Sequence, residues 1–278
     1  MKALVVTADD VGLHPGMTAG ALKAHDEGIV TACSVVANGR AFDDAAERLR
    51  DRPGLDIGIH LTLVGERPLS SAGRVRSLLG RDGALLPDFR AFTRRYLLGG
   101  IEAIEVEGEL RGQIERLLAT GLRIVHANSH QHLHVLPRIF EIVVRLAQEH
   151  RIPFVRVPRE PAARGLSPRS LQIGILNLLS RRLEVRSVQT VERTVGVLDA
   201  GRLTTERLAR ILEDVAGLSE LVCHPGLGDA ALAAEYDWGY GWDRETAALC
   251  DPRLPDLLRT QGIELTSFSR LSGGAPAS

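Results

Sequence analysis

The sequence predicts a barrel-like β/α fold in a single domain. Short β-branched or apolar runs alternate with segments of helical period along nearly the whole chain, giving about seven or eight β/α units. No internal repeat and no interdomain linker interrupts them. An open, doubly wound sheet is the second choice, because the Gly-rich fingerprint of the dinucleotide-binding form is missing. With 278 residues, 44% of them apolar and 25% charged, the chain can bury a large core without staples.

The elements follow in order. Lys2–Thr7 reads as a buried strand, followed by a helix that opens at Pro15 and stops at Gly28. Ile29–Ala37 and Leu55–Leu63 read as strands, with a helix between them from about Ala41. Val64–Gly100, rich in Gly, Arg, Pro and Ser, is a long excursion that becomes helical at its end. Ile101–Leu118 has helical spacing and Leu122–Ala127 is the next strand. Pro137 opens a helix carrying Ile139, Ile142, Val143 and Leu146 on one stripe. Ile152–Val157 is a strand, Leu171–Leu183 a helix and Val185–Thr190 extended. Leu208, Ile211, Leu212 and Val215 mark an amphipathic helix. Leu221–Cys223 is a short strand, Arg244–Thr260 a helix and Gly262–Thr266 the last strand. The domain is expected over 1–272, with 273–278 as a frayed tail.

Composition excludes several classes of function. A net charge of −1 supplies no field for nucleic acid, and 4% aromatics is too few for a base-stacking platform. Cys33, Cys223 and Cys250 are odd in number and widely spaced, as expected of reduced thiols. The apolar stretch of MKALVVTADD is too short for a signal peptide, and no run is long enough for a bilayer span. The expectation is a cytoplasmic protein, with peripheral contact at the inner membrane surface left open. Arg169–Arg186 motivates that contact, since its Leu and Ile residues cover more than one helical stripe and arginines flank them. A neighbouring helix or a homodimer partner covering that stripe is the plain alternative.

The chemistry collects at strand ends, which in a β/α barrel form one face. Asp9-Asp10 follows the first strand and His60 ends the third. Three of the nine histidines, His130, His132 and His134, follow Leu122–Ala127, and alternate spacing puts them on one side of an extended segment. His224 follows Cys223. Taken singly, an Asp caps a helix and a strand His is a satisfied core residue. His126 reads as core or as support for a ligand, and Cys223 as core. An Asp with two His makes a metal set with open positions, and a second carboxylate and a further His complete a kit for amide hydrolysis.

The motifs Thr7-Ala8-Asp9-Asp10-Val11-Gly12, Gly58-Ile59-His60-Leu61-Thr62-Leu63, Ser129-His130-Gln131-His132-Leu133-His134 with Pro137, Val155-Arg156-Val157-Pro158 and His224-Pro225-Gly226 resemble the YdjC-like carbohydrate deacetylases, in the family's order. The resemblance implies a distorted (β/α) TIM-like barrel, one divalent metal ion, and removal of acetyl from an N-acetylated amino sugar. Mg and Zn head the candidate metals. It implies Asp10, His60 and His130 as metal ligands, Asp9 as general base and His224 as general acid, with His132 and His134 as competitors for that last role. Arg156, His132, His134, Trp238 and Trp242 are expected against substrate. Val11 stands where Phe is usual, and Asn128-Ser129 where Asp-Ser is frequent. Tyr236–Trp242 holds both tryptophans and two of the three tyrosines. It resembles the tail of the hopanoid-biosynthesis branch, which implies a glycolipid substrate; a packed loop is the alternative. A metal phosphoesterase and a non-catalytic sugar- or lipid-binding barrel are the rival functions.

Overall fold

The computed structural model of the protein describes residues 2–161, 168–183 and 187–273. Among these the strands are β1 (Lys2–Val11), β2 (Ala32–Val35), β3 (Asp56–Leu61), β4 (Ile124–Ser129), β5 (Phe154–Val155), β6 (Arg193–Val195), β7 (Leu218–Cys223) and β8 (Ile263–Leu265). The helices are α1 (Pro15–Asp26), α2 (Phe42–Arg50), α3 (Phe89–Leu97), α4 (Ala103–Leu118), α5 (Pro137–Glu149), α6 (Pro168–Ser180), α7 (Thr205–Glu213), α8 (Asp229–Glu235), α9 (Trp242–Leu249), α10 (Leu254–Thr260) and α11 (Phe268–Leu271).

Every strand pair is parallel, in the order β5-β4-β3-β2-β1-β7-β6, with β8 beside the start of β1. One edge of β1 therefore serves two strands: Lys2–Leu4 pair with β8, and Thr7–Val11 with β2. The sheet curls into a distorted barrel with helices around it. Between β5 and β6 no ladder forms among the described residues; the Phe154–Gln189 bridge and a bond from Thr194 N–H to Arg159 O span that side. This is the predicted fold class.

Strand alternation sorts the side chains into two sets. Leu4, Val6, Ala8, Cys33, Val35, Ile57 and Ile59 face outward and share one core with Leu22 of α1, Leu110 and Ile114 of α4, and Phe140 and Val143 of α5. Inside, Val5, Ala32, Phe154 and Phe268 plug one end of the barrel. Above that plug the inner positions turn polar, at Thr7, Asp9, Ser34, His60, His126, Asn128 and Glu220, all buried. Gly58 is required in this layer, because a Cβ there would lie 2.1 Å from the His126 ring.

Several expectations are corrected. The helix expected over Arg244–Thr260 is two, α9 and α10, since Pro252 offers no backbone N–H to continue the first. Ile29–Ala37 and Ile152–Val157 contain only the shorter β2 and β5. Of Val185–Thr190, residues 185 and 186 lie outside the described residues, and 187–190 supply only the bridge at Gln189. Arg164, Arg186 and 274–278 of the expected tail also lie outside them. The excursion Val64–Gly100 is a packed structure that buries Val75, Leu78, Leu85, Leu86 and Phe92 and ends in α3. No helix among the described residues is long and apolar enough to cross a membrane.

Candidate active site

Two backbone irregularities aim the polar residues. Pairing of β1 with β2 slips register between Ala8 and Val11, and Asp10 lies in the left-handed region at φ 67°. Neighbouring carboxylates that a regular strand would separate thus both line one cavity. The His-rich stretch is not extended. His130–Val135 forms a 3₁₀ segment in which Gln131 and His132 are left-handed, at φ 53° and 55°. Such non-glycine conformations cost about 1–3 kcal/mol each and persist where surroundings enforce them.

The donor atoms of Asp10, His60 and His130 lie within 4.8 Å of one another. Asp10 Oδ1 is 3.1 Å from His60 Nε2 and 2.8 Å from His130 Nδ1. His60 Nδ1–H donates to Asn128 Oδ1 at 2.6 Å, with Ser34 Oγ at 3.0 Å. That bond fixes the tautomer and leaves the Nε2 lone pair facing Asp10. Asp10 and His60 are buried and His130 partly so; the donors are imidazole and carboxylate, oriented from behind, so the set fits a divalent cation. Among the described residues it is the one group of three or more such donors that converges.

Asp9 stands beside this set without joining it. Its Oδ1 accepts from Ser34 Oγ (2.7 Å), Asn128 Nδ2 (3.1 Å) and Arg156 Nη2 (2.9 Å), and its Oδ2 from Arg156 Nη1 (2.5 Å). Arg156 also donates to Glu220, which accepts from Thr7 Oγ1 at 2.8 Å. Burial alone would raise the Asp9 carboxyl, but Arg156 and His60 beside it outweigh that and hold it well below the usual range. Asp10 is held down likewise, burial being outweighed by His130 and His60.

His224 lines the same cavity from the end of β7, with the Tyr240 ring edge-on at 5.4 Å. Glu245 of α9 accepts from the His224 backbone N–H at 2.6 Å. Burial lowers the His224 imidazole against the pull of Asp10 and Asp9. Tyr236, Trp238, Tyr240 and Trp242 stack in sequence. Trp238 continues the stack onto His130 at 5.3 Å. The aromatic segment is thus both things at once. Trp242 and Tyr236 anchor it in a core with Leu13 and Met17, while Trp238 and Tyr240 line the cavity.

Of the residues expected against substrate, His132 and Trp238 line the cavity and three do not. Arg156 lies beneath Asp9, fully engaged with Asp9 and Glu220. His134 is buried with its Nδ1 on Ser129 Oγ and its Nε2 on Arg156 O, so it staples the 3₁₀ segment to the chain after β5. Trp242 is 1% exposed. His126 is buried against Phe268, as expected of a core histidine, and Cys223 bonds to Thr7 O with its thiol raised by burial. The sequence reading passed over Ser34, Glu220 and Glu245. A serine and a glutamate at inward positions of apolar strands were the available signal for the first two; Glu245 had none.

The cavity measures about 1230 Å³. Its polar floor is Asp9, Asp10, His60, His130, His132 and His224, and its apolar walls come from α3, α6 and Val197-Leu198.

Fold and floor together define a class: a distorted parallel β/α barrel with a converging Asp-His-His set and a separate, arginine-held carboxylate beside it. A family model described as YdjC-like protein matches residues 3–260, and the chain belongs to that family. It is 32% identical over 270 residues to a carbohydrate deacetylase of Brevibacillus brevis, covering 96% of this chain and 99% of that one. A carbohydrate deacetylase of Listeria welshimeri is 35% identical, with 96% and 99% covered. A chitooligosaccharide deacetylase of Serratia marcescens is 30% identical, with 97% and 99% covered. Among solved structures, a protein of Enterococcus faecalis V583 for which cellobiose-phosphate cleavage has been suggested superposes with a TM-score of 0.77 at 25% identity, covering 97% and 98% of the two chains.

Proposed function

We propose that this protein is a divalent-metal-dependent hydrolase that removes the acetyl group from an N-acetylglucosamine-type sugar. The observation that carries the proposal is the floor of the cavity, where Asp10, His60 and His130 converge beside a second carboxylate that stays ionised. The carbohydrate deacetylases among its relatives support the substrate class. Asp10, His60 and His130 would hold the ion, which when bound polarises an acyl oxygen and acidifies water.

The chain's own residues supply the proton transfers. Asp9 accepts the proton of the attacking water. Four hydrogen bonds make it a weak base, so it acts on a water already acidified, and the same bonds keep it charged and fixed. His224 gives a proton to the leaving nitrogen as the C–N bond breaks. The net change is amide plus water to acetate plus amine. Trp238 and Tyr240 offer aromatic faces to the sugar's C–H surface.

The finer reading is a sugar carried on a hopanoid lipid, processed at a membrane surface. Its support is the aromatic segment together with the cavity rim, where Leu97 and Leu98 are 75% and 76% exposed and Ile175 is 52% exposed, near Arg90 and Arg94. The rival phosphoesterase with two ions would need more donors than the single converging group among the described residues.

The test is acetate release from methyl N-acetylglucosaminide and from long-chain alkyl N-acetylglucosaminides, with chelated and metal-reloaded protein. Release from both, faster on the long-chain glycoside and abolished by chelation, is expected. No release from either glycoside by reloaded protein would overturn the deacetylase reading, and equal rates would overturn the lipid reading alone.

A further inference from the structure

Glu245 lies on α9, outside every strand that builds the cavity floor, yet its side chain ends beneath His224. One carboxylate oxygen, Oε1, accepts the His224 backbone N–H at 2.6 Å. The other oxygen, Oε2, is buried with no hydrogen-bond partner. So is His224 Nδ1, and it stands 3.9 Å from Glu245 Oε1. At 3.9 Å the contact is longer than a direct hydrogen bond, so an acceptor oxygen and a ring nitrogen on neighbouring buried side chains are each left without a partner, which is costly unless a bridging water or a small rotation joins carboxylate to ring. On the opposite side the Tyr240 ring packs edge-on against His224, and Gly201 lies directly against Tyr240, so the imidazole is bracketed.

We propose that Glu245 is the positioning residue for His224. It takes the Nδ1 proton, fixes the ring between itself and Tyr240, and leaves Nε2 as the nitrogen that meets substrate. The inference rests on the deacetylase reading for what His224 does. In that reaction the C–N bond breaks with its electron pair kept on nitrogen, and the Nε2 proton moves to that nitrogen, leaving a neutral imidazole. The carboxylate then stabilises the cationic form of the ring before transfer. The charged groups acting on His224 are Asp10, Asp9, His60 and Arg156, and Asp199 acts on Glu245. Burial pushes the Glu245 carboxyl up to about 7.

The experiment uses the full, metal-loaded protein and its Glu245→Gln variant. The amide still accepts the His224 backbone N–H but carries no charge. Expected are a kcat on methyl N-acetylglucosaminide lowered about tenfold or more, KM within about twofold, and an alkaline limb of the kcat–pH profile moved to lower pH. Wild-type kcat with an unmoved profile would overturn the proposal. A second measurement stands apart from turnover and from the variant's folding: the ring ¹⁵N resonances of His224 in the wild type. Protonated Nδ1 is expected, and an unprotonated Nδ1 at neutral pH would overturn the proposal. If the wild type releases no acetate, the deacetylase reading fails while the resonances still decide the Glu245 contact.

Discussion

Asn128 illustrates how one residue ties the floor of the cavity together. Its carbonyl accepts from His60 and its amide donates to Asp9, so a single side chain orients an imidazole and a carboxylate at once. An aspartate at this position could accept from His60 but would repel Asp9. The position was legible in the sequence as a departure from the family, but its two-way bridge was not, because β3, β4 and β1 meet only in the fold. Asp9 and Asp10 were legible as a pair. Their division of labour depends on Arg156, whose motif gave no hint that it lies beneath Asp9 and away from substrate. Asp9→Asn should keep the metal and lose about 10²–10⁴-fold in kcat, the span for removal of a general base. Near-normal turnover with metal retained would reject Asp9 in that role. Arg156→Met leaves two buried carboxylates without their counter-charge and should destabilise the fold by about 3–5 kcal/mol, read by urea unfolding. An unchanged midpoint would mean that Asp9 and Glu220 find other partners.

At the scale of elements, strongly periodic segments were readable and irregular ones were not. α5 follows its stripe of Ile139, Ile142, Val143 and Leu146, and Pro137 opens it as expected. The His130–Val135 segment misled because alternate histidines read as a strand, whereas two left-handed residues turn it back on itself. Those turns separate three similar residues into a ring against Asp10, a cavity-lining ring and a structural staple. Gln131 links this segment to a cavity wall, since its Oε1 accepts from Phe89 N–H at the start of α3. α6 shows the unusual apolar coverage that its sequence foretold: Ile173 is buried, while Leu171, Ile175 and Leu178 remain exposed. Ile175→Ser, at a solvent-facing rim position, should change stability by less than about 0.5 kcal/mol and lower the rate on long-chain but not methyl glycosides. Equal effects on both substrates would remove α6 from the lipid reading.

For the whole molecule, a parallel barrel with a polar upper interior makes stability depend on pH through buried groups of opposite sign. Burial lowers His126 to about 3 and His134 to about 4, and lowers His132 and His224 as well. The unfolded chain binds those protons below about pH 6.5 and the folded one does not, so each histidine removes stability as pH falls through that range. Glu160 and Glu245, both raised to about 7 by burial, act the other way: the folded state holds their protons between about pH 4.3 and 7. Asp9 and Asp10, held down, add stability that is lost only at still lower pH. Glu66, raised by burial, and His60, raised by Asp9 and Asp10 against the opposite pull of burial, act in the same sense as the two glutamates. Glu160→Gln, which removes one group that is protonated only in the folded state, should make the slope of stability against pH more positive between about pH 4.3 and 7, by up to about 1.4 kcal/mol per pH unit. An unchanged slope in urea unfolding would contradict this assignment.

All of this chemistry hangs on one convergence, that of Asp10 from β1, His60 from β3 and His130 from the turn after β4. Elemental analysis of the purified protein and of Asp10→Ala, His60→Ala and His130→Ala, each checked for folding by circular dichroism, tests it most directly. About one divalent ion per chain is expected in the wild type, and a folded protein depleted of metal in each variant. Full metal content in all three folded variants would contradict it.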